Sequence, residues 1–389
     1  MNKKHIQNFP SPLLSRIFSY VDEKDLCNNV PFVCEKWKLA SSHSLHVKNA
    51  YFEGESVSAK DICFVLSNSP SLDSVTLVSC HNSVPILRQI SRCNRNIEKL
   101  ILKECSSNGD IIPEDVLINI LWSLPQLNTI ELFNTKFRSH LLFELLATLP
   151  NITSIDLSLN EFITMEDLMR LVHNSHITEF KLSRRCERPK ITDEEFVHLI
   201  RMMSPRLVLL HLDMGGVGGK VYNEILSCIK LVDLKLNNAL NLSKSVLNQI
   251  PHQLRKLKHL SIEGPTHGLN KDDFHVSLFI NNEFGMKIES LRLEKCDSLS
   301  NNECCDVVQS CPNLVVFSLQ GCKGVSLQGI AETLTKAKKL KHLNIAFLGN
   351  VSNVNIQDFG ELKELVIDEA SLKKINILGQ NEELNIVKV

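Results

Sequence analysis

The side chains with the most reactive chemistry in this chain are its thiols. Thirteen cysteines stand among its 389 residues. A thiolate binds zinc or attacks an electrophile, and structural zinc sites draw thiolates in closely spaced pairs. No two cysteines here have Cys-x-x-Cys spacing, which counts against a zinc ribbon or a RING-type site. The run Gly215-Gly216-Val217-Gly218-Gly219-Lys220 ends like a phosphate-binding loop. It lacks a glycine at the required offset, and Val221 stands where Ser or Thr would reach a metal ion, so it reads as a turn. His43 with His46 and His173 with His176 have no further ligands beside them and read as surface histidines. There is no His-Glu-x-x-His run and no Gly-x-Ser-x-Gly elbow. Arg184-Arg185, followed by Arg188 and Lys190, could attract an acidic or phosphorylated segment. The chemistry on offer is binding: no catalytic residue, metal or cofactor is expected.

The totals narrow the class. Hydrophobic residues make up 43% and charged residues 22%, the balance of a folded, water-soluble chain. A net charge of -1 leaves no overall basic footprint for nucleic acid. No apolar run approaches the ~20 residues that span a bilayer, so membrane insertion is not expected. Met1 to Pro10 is not followed by the apolar stretch of a secretory signal. The thiols are then expected to be reduced, in the cytoplasm and/or the nucleus.

The elements that position these residues come from a repeat. Apolar-x-x-apolar-x-apolar-x-x-(Cys, Asn or small) recurs from Leu72 (LDSVTLVSC), Ile97 (IEKLILKEC), Leu127, Ile152, Ile177 and Leu207. It continues from Leu231, Leu257, Ile288 (IESLRLEKC), Leu314 (LVVFSLQGC), Leu340 and Leu362, with Val47 to Phe52 as a degenerate first copy. The spacing is mostly about 25 residues, in the leucine-rich-repeat range. The last two apolar residues of each pattern alternate and so share one face of a short strand. One such strand cannot bury that face alone, whereas stacked copies make a continuous core. Helices should lie between strands, beginning near Thr164-x-x-Asp167 and Thr192-x-x-Glu195, the second the better capping box. Pro70, Pro125, Pro150, Pro205 and Pro312 recur two residues before the strand and suit the end of each helix. Cysteine recurs at the ninth position (Cys80, Cys105, Cys296, Cys322), as a small buried residue at a tight corner would. The expected architecture is α/β: a leucine-rich-repeat solenoid, with a curved parallel sheet and helices on the convex face, over 46–361. Residues 362–389 should hold the last repeat and a cap of strands, and 1–45 a small all-α module.

That N-terminal module carries Phe9, Pro10, Leu13, Leu14, Ile17, Phe18, Leu26, Val33 and Trp37. This is more apolar surface than about forty residues can hide. Leu13, Leu14, Ile17 and Phe18 give a helix a broad apolar face, part for its own module and part for a partner. Leu13, Leu14, Ile17 and Trp37 are expected to point outward. The segment Phe9 to Ala40 resembles an F-box, with Phe9-Pro10 in place of the usual Leu-Pro and Pro12 where an acidic residue is common. Together with the cysteine-containing repeats, the chain resembles F-box/leucine-rich-repeat proteins over essentially its whole length. The resemblance implies a substrate receptor of a Skp–cullin–F-box (SCF) ubiquitin ligase. The F-box residues named above would dock on a Skp-type adaptor and through it a cullin–RING core, and the repeats would hold a protein target. Such a receptor is not an enzyme; it supplies proximity. The alternative is a leucine-rich-repeat interaction scaffold acting without a cullin.

For the target, residues between and after the consensus leucines should face solvent on the sheet. Ile101, Phe133, Lys181, His211 and Arg292 are the candidates there, with Arg184 and Arg185 in a longer connection. Two other long connections are Ser106 to Glu114 and Gly264 to His275. Lys181, Lys235 and Arg292 are separated by acidic and neutral repeats, so a basic cluster for a small anionic ligand is not expected.

Overall fold

A computed structural model describes residues 6, 9–42, 47–54, 56–138, 140–183, 192–213, 215, 218–239, 241–264, 282–337, 339–356, 360–377 and 383–389. The chain divides into two compact units, Met1–Pro189 and Lys190–Val389. The expected N-terminal module thus belongs to the same unit as the first repeats.

The first unit opens with three short helices, α1 (Ser11–Phe18), α2 (Glu23–Asn28) and α3 (Glu35–Ser42). Six parallel strands follow in sequence order: β1 (Asn49–Glu53), β2 (Ser74–Val78), β3 (Lys99–Lys103), β4 (Thr129–Phe133), β5 (Ser154–Asp156) and β6 (Glu179–Leu182). The degenerate copy near Val47 is therefore a full strand, paired with β2 over all five residues. Between the strands lie α4 (Ala59–Ser67), α5 (Ser83–Cys93), α6 (Glu114–Ser123), α7 (His140–Thr148) and α8 (Met165–Leu171).

In the second unit the helices are α9 (Asp193–Met203), α10 (Gly219–Ile225), α11 (Lys244–Gln253), α12 (Asn282–Gly285), α13 (Asn301–Ser310), α14 (Leu327–Lys336) and α15 (Glu369–Leu372). Its main sheet runs β7 (Leu209–Asp213), β8 (Asp233–Asn237), β9 (His259–Glu263), β10 (Ser290–Glu294), β11 (Val316–Ser318), β12 (His342–Asn344), β14 (Glu364–Ile367), β16 (Asn385–Lys388). Two further strands, β13 (Val354–Ile356) and β15 (Ile375–Ile377), pair with each other in a separate sheet. This is the leucine-rich-repeat fold, with strands added to the last repeats.

Three devices hold the repeats in phase. The first is burial: in each copy the first, fourth and sixth pattern residues face inward, and Leu72, Val75, Leu77, Ile97, Leu100 and Leu102 are all buried. The second is a left-handed corner at the eighth position. Ser79 (φ 51°), Glu104 (56°), Asn134 (47°), Leu159 (61°), Lys295 (54°) and Phe347 (60°) adopt it, and Gly321 does so at 73°. Such a backbone costs a residue other than glycine roughly 1–2 kcal/mol. The cost is offset because it aims the amide at the next repeat: Ser79 N–H donates to Lys103 O (2.8 Å), Glu104 to Phe133 O (2.9 Å) and Asn134 to Ser158 O (2.8 Å).

The third device explains the ninth position. In several copies its side chain donates backward to a strand carbonyl of the preceding repeat: Cys105 Sγ to Leu77 O (3.5 Å), Thr135 Oγ1 to Leu102 O (3.1 Å) and Cys322 Sγ to Leu293 O (3.0 Å). The position takes a small buried donor, and a thiol qualifies. Burial holds the thiol of Cys304, which lies in α13 near Cys322, well above the usual thiol range.

Asparagines do the same at the helix ends. Asn174 Nδ2 donates to Leu146 O (2.8 Å) and Leu149 O (2.9 Å), and Asn94 Nδ2 to Leu66 O and Ser69 O. Capping boxes start α8 (Thr164 with Asp167) and α9 (Thr192 with Glu195), the first as complete as the second. Asp167 also accepts from His140 of the preceding repeat.

Two predictions follow from these ties. Asn174→Leu strands two buried carbonyls and should lower the urea midpoint by an amount equivalent to about 2–3 kcal/mol; an unchanged midpoint would show the tie to be idle. The hydrogen bond to Asp167, and then its charge, raise the His140 pKa above its ordinary 6.5. The resulting stabilisation is complete below that value and is lost as pH rises through the higher folded value. His140→Gln should therefore depress the melting temperature at about pH 6 and converge with the parent at about pH 8.5; a gap that persists at the higher pH would assign it to packing.

Candidate functional site

The N-terminal module is built by two adjacent stripes on α1. Leu14 and Phe18, four residues apart, face inward and are 0% and 1% exposed. Phe18 packs on Trp37 of α3 with ring centroids 5.0 Å apart and planes at 57°. Leu26, Val30 and Ala40 complete this core. The neighbouring stripe is Leu13 and Ile17; Leu13 is 43% exposed and Ile17 half-buried. Leu14, expected to point outward with Leu13, is thus committed to the module's own core. Trp37 is half-buried rather than outward, and its Nε1 finds no partner among the described residues. Val33 (48%), Leu39 (65%) and Tyr20 (82%) join Leu13 as the exposed large apolar side chains of the three-helix segment. Phe9 is half-buried and Pro10 exposed.

The other side of the module is spent on the sheet. Glu23 on α2 accepts from the backbone N–H of Lys48 (2.8 Å) and Asn49 (3.1 Å) and from Asn49 Nδ2 (3.1 Å). Asn28 Nδ2 donates to Tyr51 O (2.7 Å). The edge of β1 is thereby met by side chains where another strand would otherwise lie. Lys38 adds an ion pair to Asp61 (3.6 Å) and sits 4.6 Å from the Phe64 ring centroid.

On the solvent face of the first unit's sheet, the register places Ile101 between Thr76 and Glu131, and Phe133 beside Lys103. Ile101 and Phe133 are half-buried. Lys181 is not an unpaired cation: its Nζ lies 3.0 Å from Glu131 Oε1, and Lys103 approaches the same carboxylate at 3.9 Å. Burial alone would lower the Lys181 pKa; the Glu131 hydrogen bond and the charges of Glu131, Asp156 and Glu179 outweigh it and hold it above the ordinary lysine value. In the second unit, His211 Nε2 lies 2.9 Å from Asp233 Oδ1. Arg292 is exposed, 3.9 Å from Glu294. Arg184 and Arg185 lie outside the described residues, as does most of the Gly264 to His275 connection. The Ser106 to Glu114 connection helps to line a cavity of about 310 Å³ with His81, Asn134 and Phe162.

Among the described residues no group of three or more His, Cys, Asp or Glu side chains could hold a metal ion. No described helix is long and apolar enough to cross a membrane. Sequence reasoning passed over Leu39 and Tyr20, whose signal was present: each is a large apolar residue off the stripe that its helix or turn buries.

No family model and no curated protein matches the chain. Solved structures similar to it include a chain of the yeast Rad7–Elc1 complex (13% identity, TM-score 0.44, covering 85% of this chain and 92% of that one). Another is the leucine-rich-repeat-containing protein LegL7 from Legionella pneumophila (12%, TM-score 0.39, 71% and 85%). A third is the TLR13–ssRNA13 complex (14%, TM-score 0.38, 89% and 62%). At these scores none carries an argument about what this chain does.

Replacing Glu23 with Gln removes the charge from three hydrogen bonds at the sheet edge. Each charge-assisted bond contributes about 1.5–3 kcal/mol, so amide exchange at Lys48 and Asn49 should speed up by tenfold or more. Unchanged protection there would mean that the module is held by its apolar contacts alone.

Proposed function

We propose that this chain is the non-catalytic receptor subunit of a Skp–cullin–F-box ubiquitin ligase. Its helical module would dock a Skp-type adaptor and its repeats would hold a protein for ubiquitination. The observation that carries the reading is the division of labour within residues 9–42. Leu14, Phe18 and Leu26 build the core, and Glu23 and Asn28 bind the module to β1. Leu13, Val33, Leu39 and Tyr20 are left on the outside. Exposed apolar anchors on a rigid helical element are what a helix-packing partner needs. The F-box resemblance of the same segment names the class of partner.

In this reading the ligase chemistry belongs to a recruited conjugating enzyme. The receptor raises the effective concentration of target lysines at the thioester and holds them in reach. The half-buried Ile101 and Phe133, bordered by the Lys181–Glu131 ion pair, offer the target an apolar contact with a polar margin. Buried thiols at the repeat corners suit a reducing compartment, so the proposed location is the cytoplasm, the nucleus or both.

Because Leu13 and Val33 are exposed, they can be changed without opening the core. Leu13→Asp with Val33→Asp should weaken a purified Skp-type adaptor by about 100-fold, as two hot-spot residues would, with the melting temperature unchanged. Adaptor binding that survives in the folded double variant would overturn the proposal. Binding of the adaptor without recruitment of a cullin would favour the scaffold instead.

A further inference from the structure

The second unit has a charged edge that the first unit lacks. The backbone amides of each repeat fix the alignment at this edge: Val232 N–H donates to Val208 O, Lys258 to Val232 O, Glu289 to Lys258 O, and Lys341 to Val315 O, all at 2.8–2.9 Å. The residue just before the first consensus leucine therefore forms one column, between the helix ends and the strand starts. In the second unit that column reads Arg206, Lys230, Lys256, Lys287, Asn313, Lys339 and then Glu361, so it is basic up to Lys339 and turns acidic at the last repeat. At the same position the first unit has Ser71, Asn96, Gln126, Asn151 and His176. Cations at helix C-termini complement the helix dipole, and α5 and α8 of the first unit carry theirs inside the last turn, as Arg92 and Arg170, rather than at the column position. The dipole alone does not account for the column.

Among the described residues the lysines of this edge are only partly paired with carboxylates. Lys258 is paired with Glu289 at 2.6 Å. Arg255, Lys287 and Lys339 instead donate to neutral oxygens: His252 O (3.1 Å), Arg255 O (3.3 Å) and Asn313 Oδ1 (2.8 Å). Lys230 and Lys256 have no carboxylate partner among the described residues. Next to this column stand two exposed apolar side chains, Ile229 (58%) and Met286 (54%).

A cavity opens on the same edge. About 360 Å³ lies between the ends of α13 and α14, lined by Val308, Cys311, Leu314, Ala337 and Leu340, with Lys336 and Lys339 also at its wall. Burial pushes the Cys311 thiol up to about 12, so it adds no negative charge to the cavity at neutral pH.

We propose that this edge of the second unit binds an acidic protein segment that seats an apolar side chain in the cavity. Carboxylates of the segment would meet Lys230, Lys256 and Lys287 on neighbouring repeats, at roughly the 4.7–4.9 Å step of adjacent strands, and Lys339 two repeats beyond Lys287. The apolar anchor would lie between Lys336 and Lys339. A nucleic acid fits less well, because the named lining of the cavity holds no aromatic ring on which a base could stack. An anionic membrane fits less well, because a recessed cavity takes one side chain and not a lipid surface. The proposal goes beyond adaptor docking and does not depend on it, since every residue it uses lies in the second unit.

The test is fluorescence anisotropy on the full chain with a labelled sixteen-residue peptide in which Asp and Glu flank a central Leu-Phe pair. Saturable binding is expected, weakening as salt is raised. Lys230→Glu with Lys256→Glu and Lys287→Glu should weaken it by about tenfold or more. Gln309→Trp, an exposed residue that also lines the cavity, should weaken the same peptide but leave a peptide with Gly-Gly at its centre unaffected. Adaptor binding is measured in parallel and is expected to be unchanged in both variants. The proposal is overturned if the peptide fails to bind, if neither variant weakens it, or if single-stranded oligonucleotide or phosphatidylserine vesicles bind as tightly and with the same lysine dependence.

Discussion

The structure depends on one unfinished bond. At each repeat corner the eighth residue takes a left-handed backbone so that its amide can reach the following repeat, as Ser79 reaches Lys103 O and Glu104 reaches Phe133 O. Without that following repeat the amide would point at nothing and the strained corner would have no return. The strand carbonyls carry the complementary need, met by Cys105, Thr135 and Cys322 from one copy further along. No repeat is therefore a folding unit by itself, and stability accrues by neighbours.

From this constraint the first unit's N-terminal end follows. An array of unfinished bonds needs its outer edge occupied, and an open strand edge is also a site for unwanted pairing. Here Glu23 and Asn28 supply, from side chains, the acceptors and the donor that a strand would have supplied from its backbone. The module can do this and keep a second surface because α1 carries two apolar stripes side by side. One is consumed by the core. The other, with Leu13, remains available, and the proposed adaptor docking rests on it.

The fold was legible because the repeat is written in residue types that only one packing satisfies. Leu72, Val75 and Leu77 recur in kind about a dozen times, and a period that long can be phased by eye. The ninth-position thiols could be read as structural for the same reason, although their carbonyl partners could not be seen. The docking residues were harder. Leu13 and Leu14 are identical in type and adjacent in sequence; which one turns inward is decided by where Phe18 meets Trp37, a tertiary fact. Lys181 looked like a surface cation until the register placed Glu131 two strands away on the same row. The basic column of the second unit was present in the sequence, yet it becomes a surface only when the backbone ladder shows those positions to be neighbours.

The cap at β1 has an evolutionary consequence. Glu23 and Asn28 read only the first strand, through the backbone of Lys48, Asn49 and Tyr51. Every later copy is invisible to them. Duplication or loss of a whole interior repeat would leave this junction untouched, while loss of Glu23 or Asn28 would open it. The chain is therefore free to vary in length from within while its first strand keeps the same partners, much as a keyed connector tolerates any cable behind it.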